Sequence, residues 1–159
     1  MQTRRQFLLA GGLLAASPML FAAPAAAPAP EVRHTDAKWR RLLTGMQYEV
    51  LRRGATERPY SSPLNDEHRG GQFACAGCQL PLFSSKTKFD SGTGWPSFYA
   101  PLERALSNLN DATLGMVRTE VRCRRCGGHL GHVFDDGPRP TGLRYCMNGT
   151  ALAFTPGAA

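Results

Sequence analysis

The sequence predicts a mainly β fold of the α+β type, with antiparallel sheets and short helices at the start of the domain. A helical pattern of apolar residues is confined to positions 36–54. From Gln72 onward the apolar residues alternate with polar ones or come in short runs separated by Gly, Pro, Asn and Asp. Two C-x-x-C pairs then indicate that distant segments meet at one point.

Residues 1–30 have the composition of an export signal followed by an Ala/Pro tract. They hold no acidic residue, an adjacent pair Arg4-Arg5, and an apolar run from Phe7 to Phe21. The order Thr3-Arg4-Arg5-Gln6-Phe7-Leu8 is similar to twin-arginine signals, with an ordinary Sec signal as the alternative. We therefore expect an exported, periplasmic protein, with cleavage after Ala25 or elsewhere in the tract.

Residues 31–159 are predicted to form a single domain, since this length fits one hydrophobic core. Without Arg4 and Arg5 the chain has 17 basic residues against 12 acidic ones. These basic residues are scattered and not interleaved with aromatic ones, so we expect no nucleic acid partner. The apolar run of the leader is shorter than the ~20 residues of a membrane span, so we expect no membrane span after signal removal.

The first predicted helix begins near Asp36, whose carboxylate is a suitable N-cap. Its apolar residues Trp39, Leu42 and Leu43 fall on one face. We expect this face to pack against the rest of the domain.

The second predicted helix follows Thr44-Gly45-Met46-Gln47, which has the form of a capping box. In such a box the Thr hydroxyl and the Gln side chain each satisfy a free backbone amide. Met46, Val50 and Leu51 continue an apolar face until Gly54, which is suited to end the helix. The two helices are expected to cover the sheets as a lid.

Several segments have the pattern of strands. Met116–Arg122 alternates between the two faces of a half-buried strand, and Asn148-Gly149 is a hairpin turn signal. Shorter apolar runs occupy Leu130–Phe134, Leu143–Met147 and Ala151–Phe154.

Four of the five cysteines form the two C-x-x-C pairs, namely Cys75, Cys78, Cys123 and Cys126. This spacing lets both sulfurs of a pair face one tetrahedral ion, which predicts a closed, structural zinc site. Iron has the same tetrathiolate geometry. Two disulfides, or a local cluster that adds His129 and His132 to the second pair, are the alternatives.

Cys146 is left over from these pairs and is the candidate nucleophile. Arg144 and Asn148 lie two residues away on either side, and His129 and His132 offer imidazoles that can lower the thiol pKa and pass protons. The alternatives are a buried, inert cysteine, structural histidines and an asparagine that only forms a turn.

Taken together, these motifs resemble the B-type peptide-methionine (R)-S-oxide reductases. The resemblance runs from about Trp39 to Phe154 and so covers nearly the whole domain. Its motifs are Thr56-Glu57-Arg58-Pro59, both C-x-x-C pairs, Leu82–Ser85, Ser91–Phe98, Arg118–Val121, His129–Pro138 and Arg144–Asn148.

The resemblance implies a β-rich fold with structural zinc and reduction of the R epimer of methionine sulfoxide, mainly in proteins. Cys146 would supply the thiolate and become a sulfenic acid, while His129 or His132 would protonate the sulfoxide oxygen and Asn148 would help fix the site. Trp95 would form the pocket for the substrate methyl group, beside the further substrate-binding residues Phe134 and Arg144.

Many members of that family have a second cysteine where this chain has Thr93. We therefore expect Cys146 to be regenerated by an external donor, either a thioredoxin-like protein or a small thiol. Two other functions stay open at this stage. One is a binding module with structural zinc, and the other is a thiol–disulfide oxidoreductase that uses a C-x-x-C pair.

Overall fold

The computed structural model describes residues 29–111 and 118–158 of the chain. In these residues two helices, α1 (Asp36–Leu42) and α2 (Gly45–Arg53), precede nine strands. The strands are β1 (Gly71–Cys75), β2 (Pro81–Ser84), β3 (Lys88–Phe89), β4 (Ser97–Phe98), β5 (Leu106–Asp111), β6 (Arg118–Cys123), β7 (His129–Phe134), β8 (Arg144–Met147) and β9 (Leu152–Pro156). The predicted fold class is confirmed.

The strands form two antiparallel sheets. One sheet has the order β2-β1-β9, and the other has the order β3-β4-β8-β7-β6-β5. The strands predicted around 118–122, 130–134 and 144–147 are present as β6, β7 and β8. Met116 and Val117 of the predicted alternating strand lie outside the described residues, as does the predicted leader up to residue 28.

The core lies where the two sheets meet. Phe83 of β2 stacks on Phe98 of β4 with ring centroids 4.3 Å apart, and Phe73 of β1 meets Phe98 edge-on at 5.0 Å. All three rings are fully buried. Burial of aromatic rings of this size dominates core stability, so this contact fixes the position of β4 and of its neighbour β8.

The start of α1 differs from the prediction by one residue. Thr35, not Asp36, is the N-cap, because Thr35 has extended backbone angles and its side chain accepts from the amide of Lys38. Asp36 is the first helical residue and accepts a hydrogen bond from the Tyr48 hydroxyl. The predicted apolar face was also wrong at Leu42, which is 56% exposed.

The capping box of α2 is confirmed: the Thr44 hydroxyl accepts from the amide of Gln47, whose side chain accepts from the amide of Thr44. Gly54 ends the helix in the left-handed conformation, at φ 73°. Val50 is buried as predicted, but Met46, in the first turn of the helix, is 55% exposed. No helix in the described part of the chain is long and apolar enough to cross a bilayer.

Asn148-Gly149 does not form the predicted hairpin. Both edges of β8 are already occupied by β4 and β7, so β9 cannot pair with it. A 3-10 turn at Gly149–Ala151 instead carries the chain from the six-stranded sheet into the three-stranded sheet, where β9 pairs with β1. This crossing places Asn148 at the junction of the two sheets.

Candidate active site

A cavity of about 190 Å³ opens beside the junction of β7 and β8. It brings together five of the residues that the sequence singled out. Its lining consists of Thr56, Trp95, Arg118, Gly131, His132, Phe134, Cys146 and Asn148. Two aromatic rings, an imidazole and a thiol therefore line the same small cavity.

Cys146 lies in the middle of the six-stranded sheet. It is directly opposite His132 on β7 and opposite Ser97 on β4. Residues paired in this way on antiparallel strands project from the same face of the sheet. The register of β7 against β8 therefore places the imidazole of His132 beside the thiol.

The two strands approach closely at Gly131. A Cβ atom at this position would lie 2.1 Å from the carbonyl oxygen of Cys146, so no other residue fits without moving the backbone. Glycine here therefore keeps His132 and Cys146 in register.

The pKa of Cys146 reflects opposing effects. Burial raises the pKa, while hydrogen bonds from Thr93 and Ser97 and the positive charge of Arg144 oppose that rise. The Thr93 hydroxyl lies 3.8 Å from the sulfur. It also pairs with Ser91 at 2.8 Å, and Ser91 in turn pairs with Ser97 at 2.7 Å. Three hydroxyl groups thus form a chain of hydrogen bonds beside the thiol.

Arg144 is held by an acidic partner. Its guanidinium donates to both carboxylate oxygens of Asp136, each at 2.8 Å, and lies 4.4 Å from the centre of the Phe134 ring. This bidentate pair raises the pKa of Arg144, which remains a cation near the thiol. Arg144 is not among the residues that line the described cavity, but it contacts the Phe134 ring and hydrogen-bonds to the Cys146 sulfur, both of which do line it.

The two histidines occupy different surroundings. His132 lines the cavity, and its Nε2 lies 2.9 Å from Asp111, which also pairs with Arg118 at 3.0 Å. His129 is buried, and its Nδ1 lies 2.6 Å from Glu120. Burial lowers the pKa of His129, so the neutral ring is favoured.

His129 and His132 are neighbours, with ring centroids 5.5 Å apart. Within the described residues the Nε2 atom of His129 is buried without a hydrogen-bond partner, and the ring does not line the cavity of Cys146. Of the two predicted imidazoles, the structure therefore places His132 at the cavity with the thiol and His129 outside that cavity.

Glu57 connects several parts of the site. Its backbone amide donates to the Asn148 side chain at 2.9 Å, and its carbonyl accepts from the Trp95 indole at 3.2 Å. Its buried carboxylate accepts from the amides of Gly149 at 2.5 Å and Thr150 at 2.9 Å. The sequence did not indicate a role for Glu57. It belongs to no periodic pattern or spaced motif, so nothing near it in the sequence points to its hydrogen-bond partners.

Asn148 completes this arrangement. Its side-chain amide donates to the carbonyl of Leu130 at 3.0 Å while its oxygen accepts from Glu57. Both groups of the side chain are thus occupied by backbone partners, and the residue is buried. This bonding fixes the end of β8 against β7 next to Cys146.

The four paired cysteines form a second cluster. The Cys75 and Cys126 sulfurs are 3.7 Å apart, and the Cys78 and Cys123 sulfurs are 3.5 Å apart. All four sulfurs lie within 4.8 Å of one another. The first cysteine of each pair ends a strand, β1 or β6, and the second lies in the turn that follows, where Gly127 continues the second turn with φ 68°. The predicted four-cysteine cluster is therefore confirmed.

This geometry fits a zinc ion. A tetrahedron with Zn–S bonds of about 2.3 Å has sulfurs roughly 3.8 Å apart, close to the distances of 3.7 Å and 3.5 Å between the two cysteine pairs. A disulfide needs about 2.05 Å, and the five cysteines are unpaired. The alternative with histidine ligands does not fit, because the sulfurs of Cys123 and Cys126 meet those of the first pair, and neither His129 nor His132 belongs to the cluster. The set could hold one tetrahedral metal ion through four thiolates.

The chain is similar to proteins of known name. A family model described as the SelR domain matches residues 43–156. A protein of Agrobacterium fabrum named peptide methionine sulfoxide reductase MsrB is 54% identical over 128 residues, which cover 80% of this chain and 95% of that protein. Proteins of the same name from Thiobacillus denitrificans and Pseudomonas putida are 56% identical over 123 residues and 53% identical over 127 residues. These matches cover 77% and 79% of this chain and 93% and 97% of those proteins.

Proposed function

Because this chain belongs to the SelR domain family and is an oxidoreductase that reduces methionine sulfoxide, we propose that it acts on the R epimer, mainly in proteins, with Cys146 as the nucleophile. The observation that carries the proposal is the pairing of Cys146 with His132 across β8 and β7, at a cavity lined by Trp95 and Phe134. A soft nucleophile, a proton donor and an apolar wall are the groups that this reaction requires.

In the proposed step the Cys146 thiolate attacks the sulfoxide sulfur while a proton is delivered to the sulfoxide oxygen. The bond that the attack forms between the two sulfurs then breaks together with the S–O bond, and the protonated oxygen ends on Cys146 as a sulfenic acid. Two electrons pass from the cysteine sulfur to the substrate sulfur, so methionine is released. A thiolate, a proton and a sulfoxide thus become a sulfenic acid and a thioether.

His132 is the proposed proton donor. It lines the cavity with Cys146, whereas His129 does not, and Asp111 holds its Nε2 atom. A carboxylate on one ring nitrogen orients the imidazole. We assign His129 a positioning role, since its ring packs edge-on against His132.

Selection of one epimer requires the methyl group, the oxygen and the sulfur lone pair to be fixed in three directions. We propose that Trp95 and Phe134 contact the methyl group and that His132 receives the oxygen. Two anchors support this arrangement: the indole of Trp95 is held by the Glu57 carbonyl, and Phe134 is backed by Arg144. Asn148 keeps the strand end beside the thiol in place.

We further propose that Cys75, Cys78, Cys123 and Cys126 hold one structural zinc ion. When bound, zinc would favour the thiolate form of these cysteines and join the turns after β1 and β6. Four protein ligands leave no position for water or substrate, so the ion would support the fold and take no part in the reaction.

Regeneration of Cys146 is proposed to depend on an external thiol. Thr93 lies beside the thiol and carries no sulfur, and the other four cysteines belong to the cluster. A thioredoxin-like protein or a small dithiol would attack the sulfenic acid, form a mixed disulfide and then release reduced Cys146. Water leaves in the first of these steps.

The cellular location is proposed from the sequence of residues 1–30. Arg4-Arg5 ahead of Phe7 favours twin-arginine export to the periplasm. Replacing both arginines by lysine keeps the charge that a Sec signal needs. We expect this double variant to be retained in the cytoplasm, and unchanged export would contradict the twin-arginine route.

The proposed reaction is tested with separated R and S epimers of N-acetylmethionine sulfoxide and dithiothreitol as the reductant. We expect reduction of the R epimer alone and complete loss of activity in Cys146→Ser, with the bound zinc and the fold of the variant unchanged. Equal reduction of both epimers, or activity that survives Cys146→Ser, would show the proposal to be wrong.

A further inference from the structure

A second, larger cavity adjoins the catalytic cavity. This groove has a volume of about 550 Å³ and is bordered by the start of α2, the loop at residues 58–64 and strand β9. Thr56 lines both cavities, and the two residues that follow β8 line one each, Asn148 the catalytic cavity and Gly149 the groove. The groove therefore lies directly beside the catalytic cavity.

Strand β9 is an edge strand in the described structure, since it is paired with β1 alone. The amide of Gly157 donates to Gly70, and the carbonyl of Ala151 accepts from Ala76. The backbone groups of successive residues alternate between the two edges of an antiparallel strand. The amides and carbonyls of the odd-numbered residues of β9 therefore point to β1. The amide and carbonyl of Phe154 therefore point to the open edge, where an added strand can bond to them.

Apolar side chains contribute to the groove beside polar ones such as Gln47, Ser61 and Ser62. Met46 is 55% exposed at the rim, and Leu64, Leu152 and Phe154 form the wall. Arg58 is the only Lys or Arg among the residues that line the groove in the described chain. The surface thus combines free backbone hydrogen-bonding groups with apolar contacts, which suits an extended polypeptide of low charge.

We propose that this groove binds the polypeptide segment that flanks the oxidised methionine of a protein substrate, as an added strand along β9. The inference rests on the proposed function, because the sulfoxide side chain must occupy the neighbouring cavity. Because Thr56 borders both cavities, and Asn148 and Gly149 border one each, we assign the groove to the same ligand. Free methionine sulfoxide has no flanking chain and cannot use these contacts.

The first test compares substrates of different length with the full protein. N-acetylmethionine-R-sulfoxide amide is measured beside two series of peptides with Ala and Val residues added on the N-terminal or the C-terminal side of the sulfoxide. We expect kcat/KM to rise about tenfold with extension on one side only, because a strand can enter the groove in one direction from the cavity. Methionine-free peptides of the same composition serve as competitors, and they should inhibit the long substrate.

The second test uses a matched pair of surface variants. Met46→Glu places a charge at the rim of the groove, while Leu42→Glu makes the same change on α1 at nearly the same exposure, 56% against 55%, outside the groove. We expect Met46→Glu to lower the ratio of kcat/KM for the long peptide to that for the short substrate by roughly tenfold. Leu42→Glu should leave the ratio unchanged.

Hydrogen exchange locates the bound segment directly. Cys146→Ser binds without turnover, so the long sulfoxide peptide can be added at saturation. Exchange of the amides in Leu152–Pro156 should slow, and exchange in β5 should stay the same.

Three results would overturn the proposal: kcat/KM that is independent of peptide length, equal effects of Met46→Glu and Leu42→Glu, or no protection of β9. A dimer that is lost in Met46→Glu would instead assign the groove to a second copy of this chain. Failure of the proposed function gives a different result, since neither the short nor the long R-sulfoxide would then be reduced.

Discussion

The hydroxyl oxygen of Thr93 lies 3.8 Å from the sulfur of Cys146, within the range of a hydrogen bond to sulfur. Two consequences follow from this one contact. Thr93 stabilises the charged form of Cys146, and it lies where a thiol in its place would be close to the Cys146 sulfur. The first two predictions concern these consequences.

Replacement of Thr93 by valine should shift the pH dependence of the reaction upward. Burial raises the pKa of Cys146, and the Thr93 hydrogen bond opposes that rise, so its loss raises the pKa further. In the proposed step the thiolate is the reactive form, so kcat/KM should increase with pH through the pKa of Cys146. Thr93→Val should move this rising limb to higher pH and lower kcat/KM at neutral pH roughly three- to tenfold.

Thr93→Ser is the matched control, since it keeps the hydroxyl and should retain the wild-type profile. The measurement is kcat/KM for the short R-sulfoxide substrate from pH 6 to 10 at roughly half-unit steps. A Thr93→Val profile that stays in place or moves to lower pH would contradict the assigned contact.

Replacement of Thr93 by cysteine should create an internal resolving thiol. After one turnover the new thiol should displace hydroxide from the sulfenic acid of Cys146, so that a disulfide and water form. The variant should be better protected from overoxidation by excess peroxide. Peptide mapping identifies the bridge, and Ser107→Cys, on β5, is a control in which no bridge to Cys146 is expected.

Without the metal the domain should no longer unfold cooperatively. One zinc ion per chain is expected in the purified protein, and a chelator strong enough to strip it should abolish the sharp thermal transition, because the site joins turns that follow β1 and β6. Cys123→Ser should have the same effect, whereas Cys146→Ser should retain the zinc. A metal-free protein that unfolds cooperatively with four freely reacting thiols would contradict the assignment.

Replacement of Glu57 by alanine should destabilise the domain by about 2–4 kcal/mol, because the amides of Gly149 and Thr150 would lose their acceptor. Glu49→Ala, on the exposed face of α2, should change stability by less than about 0.5 kcal/mol. Denaturant unfolding measures both.

The pH dependence gives this prediction a second readout. Burial raises the pKa of Glu57 in the folded state, so folding favours its protonated form. Its titration therefore lowers stability as pH rises from the unfolded pKa through the folded pKa. This decrease should disappear in Glu57→Ala and persist in Glu49→Ala.

The features that could be predicted from the sequence were those set by local spacing. Both C-x-x-C pairs form tight turns whose sulfurs converge, and the capping box at Thr44 depends on residues three positions apart. The fold class followed from short alternating segments. The placement of Thr93 beside Cys146 came from the family resemblance and agrees with the observed contact.

The features that could not be predicted depend on contacts between distant segments. Asn148-Gly149 has the local signal of a hairpin, yet the neighbours of β8 force the chain into the other sheet. Helical spacing placed Leu42 and Met46 on apolar faces, but short helices bury only the part that meets the sheets. The hydrogen bonds of Glu57 to Asn148 and Gly149 join residues about 90 positions apart, so no local sequence pattern predicts them.

The central claim is that Cys146 takes the oxygen of an R-sulfoxide. The most direct measurement is the intact mass of the zinc-bound protein after one turnover without a reductant, with peptide mapping of Cys146. We predict a gain of one oxygen atom on Cys146 with the R epimer and no change with the S epimer. An unmodified Cys146 after R-sulfoxide has been reduced, or a gain of oxygen from both epimers, would contradict the account.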